Sequence, residues 1–162
     1  MTGGQIANVD LIKQVNSAAV YRLIDLQGPI SRVKIAELSQ LAPASVTKIT
    51  RQLIEHGLID VLFANEAEIM FLTETDTVDA AVAAVQGKVP LVVVTLAERG
   101  AMAISGGERV TVPAQPIDKV VDTTGAGDLF AAGFLHGQAR GKSLEASLTL
   151  GAICAAEVIQ HF

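Results

Sequence analysis

The sequence predicts an α/β protein built in two parts: an all-helical head over residues 1–59 and an α/β remainder over residues 60–162. Three observations carry this reading. Apolar residues recur at helical spacing as far as Gly57. Beyond it, the continuous apolar runs Val61-Leu62-Phe63-Ala64 and Leu91-Val92-Val93-Val94-Thr95 alternate with helical segments, the pattern of a parallel sheet covered on both faces. Charge divides at the same place, with six Lys/Arg against four Asp/Glu before residue 60 and six against thirteen after it. The overall charge of −5 therefore argues against a nucleic-acid partner for the whole chain but not for its first third.

In the head, Val9, Ile12, Val15, Ala19, Leu23 and Leu26 predict an amphipathic helix over about 8–27, stopped by Gly28-Pro29. Ser31 is a good N-cap for a second helix, Arg32–Ser39, with Val33, Ala36 and Leu38 facing inward. Pro43 suits the first position of a third helix that runs to about Glu55 and ends at Gly57. Val46, Ile49 and Leu53 form its inward stripe; Ala44, Thr47, Lys48 and Arg51 form its outward face. Small, hydroxyl and basic side chains without an acid can approach base edges and neutralise phosphates. A solvated face on a plain three-helix bundle is the alternative.

In the remainder, Asn65–Leu72 begins a helix and Val78–Val85 forms an alanine-rich one. Ala101–Ile104 and Arg109–Val112 predict a hairpin across Ser105-Gly106-Gly107, and Gly125–Arg140 and a segment from Ser143 predict two closing helices. The most informative string is Val121-Asp122-Thr123-Thr124-Gly125-Ala126-Gly127-Asp128. Its glycines let amides crowd at the start of an apolar helix, where the helix dipole favours an anion. Asp128 beside such a nest makes sense as a base that takes a proton from a hydroxyl while Gly125, Ala126 and Gly127 hold the phosphoryl group attacked. A tight turn followed by a dipole-complementing acid is the plainer alternative.

Two resemblances follow from these residues. Asn8–Gln14, Ala19–Asp25, Gly28–Arg32 and Leu41–Arg51 resemble the sugar-responsive NagC/Mlc repressors of the ROK family, over about Gly3 to Ile59. That implies a (winged) helix-turn-helix with Pro43–Glu55 as recognition helix and with Arg32, Ala44, Ser45, Thr47, Lys48 and Arg51 toward DNA. The family's β-wing and sugar-binding domain have no counterpart after Ile59. Residues 60–162 resemble the C-terminal part of the PfkB (ribokinase-like) carbohydrate and nucleoside kinases, which implies a partial ribokinase-like sheet. Besides Asp128 and its anion hole, Asn65-Glu66-Ala67-Glu68 is similar to the family's Asn-x-x-Glu motif, implying that Asn65 and Glu68 organise magnesium and phosphate through water. Thr95-Leu96-Ala97-Glu98-Arg99-Gly100 is similar to its nucleotide loop, implying contacts at Thr95 and Gly100, with Ala97 where glycine is usual. Asp122 and Thr124 match positions that help bind a monovalent cation.

The expected cofactors are thus ATP and magnesium, with a monovalent cation at Asp122 and Thr124. The expected partners are DNA through residues 1–59, ATP, and a sugar or nucleoside acceptor whose gripping residues are missing. The lone Cys154, the absence of a signal-like N-terminus and the absence of a spanning apolar segment lead us to expect a soluble cytoplasmic protein. An unpaired strand edge leads us to expect a homo-oligomer. Three functions stay open: a regulator whose nucleotide-fold part binds ligand or dimerises, a kinase with an added head, and a chimera in which neither activity survives.

Overall fold

A computed structural model describes the backbone of residues 3–161, and the side chains of residues 10–161. The chain divides into two compact units, Met1–Leu58 and Ile59–Phe162.

The first unit is three helices: α1 (Gly3–Gln27), α2 (Arg32–Ser39) and α3 (Pro43–Glu55). The local signals act as their chemistry dictates. The Ser31 hydroxyl accepts from the Lys34 amide at the start of α2, Pro43 opens α3, and Gln40 in the left-handed region ends α2. Val20, Ile35, Val46, Ile49, Leu53 and Ile54 form the buried set. Two predicted faces are corrected. On α2 the inward residue is Ile35, while Val33 is 70% exposed, Leu38 is exposed and Ala36 is half-buried. Val33 and Ile35 lie roughly 200° apart on a helix, so one core can take only one of them. On α1 the inward residues are Val20 and half-buried Leu23 and Ile24, whereas Ile12, Val15, Ala19 and Leu26 are exposed. The side chain of Val9 lies outside the described residues. No strand follows α3 before residue 61 among the described residues, so the unit shows no wing.

The second unit is a four-stranded sheet in the order β1-β2-β3-β4, formed by β1 (Val61–Asn65), β2 (Leu91–Thr95), β3 (Ala101–Ser105) and β4 (Glu108–Val112). It is not a parallel sheet throughout. Only β1 and β2 run parallel; β2–β3 and β3–β4 are antiparallel. Five residues, 96–100, join β2 to β3, too few for a crossover, and the Leu96 amide donates to the Gly100 carbonyl at 2.8 Å to turn the chain back. α4 (Glu66–Thr73) and α5 (Val78–Val85) complete the parallel crossover. The predicted hairpin, alanine-rich helix and closing helices are all present, the last two as α6 (Ala126–Ala139) and α7 (Leu144–Gln160).

Alternation along the strands splits their residues between two faces. Val93, Ala101, Ala103 and Val112 pack with Phe130 and Phe134 of α6 and with Leu148 and Ala152 of α7. The Phe63 and Phe134 rings meet edge to face at 5.6 Å. Val92, Val94, Met102 and Ile104 point to the opposite face and are also buried, as are Ile69, Leu72, Ala81, Val82 and Val85 of α4 and α5.

Candidate functional site

Two of the second unit's candidate residues stand at the carboxyl ends of β1 and β2. Asn65 and Thr95 are the last residues of the two parallel strands and are partners in register. They share a face with Phe63 and Val93, the face on which Phe130 and Phe134 seat α6. The ends of parallel strands are where open α/β sheets leave room for ligands.

Gly125, with φ +80°, is the left-handed N-cap of α6, a conformation that glycine adopts without cost. The Leu129 amide donates to the Gly125 carbonyl and the Ala126 amide to that of Thr123. The Gly127 and Asp128 amides lie in the first turn, where no carbonyl of the helix is in reach. A Cβ on Gly125 or Gly127 would meet no atom within 4 Å, so the nest is open on its outer side. Asp128 is exposed in that same turn.

The approach to the nest is fixed by Asp122. Its Oδ1 accepts from the Thr124 amide at 2.9 Å and the Thr124 hydroxyl at 2.8 Å. The Thr124 backbone bond, followed by its hydroxyl, holds the Asp122 carboxyl below the usual carboxylate range. Just upstream, the Val121 amide donates to the Ile159 carbonyl at the end of α7 (2.8 Å) and the Asp118 amide to Gln160 Oε1 (3.1 Å).

Asn65 and Glu68 form a reciprocal capping box. Asn65 Oδ1 accepts from the Glu68 amide at 2.8 Å, and Glu68 Oε2 accepts from the Asn65 amide at 2.9 Å. Helix capping thus accounts for the motif's local geometry. Gly100 also has a packing reason to be glycine: at φ +97°, a Cβ would lie 2.0 Å from the Val112 carbonyl oxygen. Ala97 takes φ +51°, where a glycine would be unstrained. Arg99 of the same loop donates to Glu66 in the first turn of α4 and is held more firmly protonated by it. The pair ties the β2–β3 loop to the capping-box helix; a contact spanning 33 residues leaves no local sequence signal. Among the described residues no group of three or more His, Cys, Asp or Glu is placed to hold a metal ion.

On α3 of the first unit, Ala44, Ser45 and Lys48 are exposed on one face, and Arg51 is half-buried, as is Arg32 on α2. Thr47 does not join them. It is buried, and its hydroxyl donates to the Pro43 carbonyl at 3.1 Å, the usual diversion of a helical threonine. Gln52 lies on the exposed side, though a pattern of basic and hydroxyl groups does not single it out. Its amide can both donate and accept, as an adenine edge requires.

An αL glycine N-cap with an acid in the following turn, in a unit whose two parallel strands end at Asn65 and Thr95, is an arrangement that can hold an anion. The sequence model of the pfkB family carbohydrate kinases matches residues 5–162. The chain belongs to that family. It is 39% identical over 107 residues to the cytidine kinase of Thermococcus kodakarensis, 64% of this chain and 38% of that enzyme. The solved adenosine kinase of Sinorhizobium meliloti superposes with a TM-score of 0.69 at 42% identity, over 72% of this chain and 36% of that one. The chain is also 84% identical over 55 residues to the transcriptional dual regulator NagC of Escherichia coli, 34% of this chain but 14% of NagC. A NagC/Mlc-like segment is therefore joined to a kinase-like part, and the chain spans well under half of each of these relatives. No helix among the described residues is long and apolar enough to cross a membrane.

Proposed function

We propose that the chain is a DNA-binding head, residues 1–59, fused to the ATP- and phosphate-binding part of a PfkB-type kinase, residues 60–162, with phosphotransfer impaired. The observation that carries the reading is the exposed N-terminal half of α3's outward face, where Ala44, Ser45 and Lys48 stand with no acidic residue before Glu55 in the last turn. In a helix-turn-helix that end enters the major groove, and Lys48 and Arg32 contact phosphate. Fluorescence anisotropy with duplexes selected from a random pool tests it. Binding should weaken steeply with salt, and Lys48→Ala should lower the slope of log K against log salt by about one. Salt-independent binding, or an unchanged slope, would refute it.

The nest favours a second reading, a kinase for a sugar or nucleoside hydroxyl. Gly125, Ala126 and Gly127 would hold the transferred phosphoryl group, and Thr95 and Gly100 would line the nucleotide loop. The acceptor oxygen attacks the γ-phosphorus, the bond to the β-bridging oxygen breaks, ADP leaves, and Asp128 takes the hydroxyl proton. Magnesium neutralises phosphate charge when bound. Asn65 and Glu68 fit that role because the capping box uses only Oε2 of Glu68, which leaves Oε1 for a coordinated water. A monovalent cation at Asp122 and Thr124 would use Oδ2, since Oδ1 is taken. Impairment is the expected result where the acceptor is held poorly, because orientation contributes about 7–11 kcal/mol to such barriers. ATP turnover against a panel of sugars and nucleosides decides between the readings. Rapid turnover abolished by Asp128→Asn establishes the kinase, and turnover indifferent to that change removes Asp128 as base.

A further inference from the structure

α1 carries two apolar faces, and only one is used within its own unit. Val20 is fully buried, with Leu23 and Ile24 half-buried beside it. Roughly 120° further round the helix, Ile12 (55% exposed), Val15 (58%), Ala19 and Leu26 (68%) stand in solvent, with Leu11 (57%) at their edge. Ile12, Val15, Ala19, Arg22 and Leu26 follow one another at steps of three, four, three and four residues. Over two heptads these steps fit the 3.5-residue repeat by which two helices pair side by side, a narrower stripe than the one that seats a helix on a globular core.

We infer that this face is a self-association surface on which α1 of a second copy of the chain packs antiparallel. The seam matches a helical partner by its period, and its charge selects the orientation. Arg22 occupies a core position; parallel pairing would place it against its own copy, whereas antiparallel pairing sets it beside apolar residues near the other end of the partner helix, from which its long side chain reaches water. Ala19 at the middle lets the backbones approach. The area is adequate. From the exposures, burying these side chains removes roughly 250–350 Å² of apolar surface per copy. With its polar rim the interface totals about 1,000 Å², the lower end of specific interfaces and the range of reversible dimers. This inference stands apart from the DNA-binding reading, although paired heads are also what two half-sites require.

Sedimentation velocity of the full chain from about 1 to 200 µM tests it. The wild type should convert from monomer to dimer across that range. Val15→Glu, on an exposed position, should weaken the dimer at least tenfold with an unchanged circular dichroism spectrum. Arg22→Leu, which completes the apolar seam, should tighten it at least tenfold. Val33→Glu, an equally exposed apolar site on α2, should change nothing. A wild type that stays monomeric overturns the inference and leaves another segment of the chain or a different protein as the cover for α1. A dimer that ignores Val15→Glu overturns it as well, and places self-association elsewhere, such as the free edge of β1.

Discussion

Glycines let α6 and α7 approach closely, and Gly133→Ala tests how much that contact contributes. α6 and α7 approach so closely that a Cβ on Gly133 would lie 2.8 Å from the Leu150 carbonyl oxygen, 3.0 Å from its carbon and 2.8 Å from Cys154 Sγ. The thiol can rotate away; the Leu150 carbonyl is backbone and cannot. Ordinary contact begins at 3.4 Å, so α7 would have to retreat by roughly 0.6 Å. Gly137 and Gly151 are packed just as closely. A Cβ at Gly137 would lie 2.9 Å from Ser147 Cα and one at Gly151 2.8 Å from the Phe130 carbonyl oxygen, so close packing extends along the whole interface. Moving α7 would also loosen buried Leu148 and the bond from Gln138 to the buried Ser147 hydroxyl.

Two terms compete. Alanine gains about 1 kcal/mol over glycine within a helix. Overpacking of a close-fitted site typically costs about 1–3 kcal/mol, and rigid backbone puts this site at the upper end. The net is a loss of about 1–2 kcal/mol, or roughly 5–15 °C in Tm for a unit of this size. The lone Cys154 gives the assay, since its half-buried thiol faces Gly133. Its labelling by a thiol reagent in rising urea should reach half-maximum at lower denaturant in the variant. Gly127→Ala is the control: it adds a Cβ that meets nothing within 4 Å and should be neutral or stabilising by up to about 1 kcal/mol. Equal or greater protection of Cys154 in Gly133→Ala would refute the steric account.

Asp122 should give the nest loop an acid limb. Its folded pKa is depressed below the ordinary 3.8, so its contribution is complete above that value and is lost as pH falls through the lower folded value. An NMR titration of the carboxyl should show the depressed midpoint, and Thr124→Val should move it back up. Ala97→Gly should be neutral or stabilising: losing the β-carbon relieves about 1–2 kcal/mol of left-handed strain, and the freer unfolded chain takes back about 0.5–1. A fall in Tm for that variant would show that the methyl group packs usefully. Glu68→Gln should leave α4 capped through Asn65, with hydrogen exchange little changed, while weakening magnesium-dependent ATP binding if Oε1 takes the water assigned to it.

What was legible in the sequence was what neighbouring residues decide among themselves. Ser31, Asn65 and Ser143 cap the helices they precede because an oxygen three residues before an amide needs no tertiary help. Gly125 marks its nest because the left-handed region admits little else, and Ala97, read as standing in a glycine's place, does take a positive φ. What was not legible depended on residues far away. The inward faces of α1 and α2 are not set locally, because apolar side chains line more than one side of each and only the packing against Val46, Ile49 and Leu53 decides which side turns inward. The antiparallel turn after β2 was hidden for a related reason: an apolar strand buried on both faces reads the same whichever way its neighbour runs. Thr47 failed on a finer point, since a hydroxyl that bonds its own helix cannot be told from one aimed outward until the core behind it is known. In α1 that ambiguity carries information, because an apolar face that its own unit leaves uncovered is the place to look for a partner.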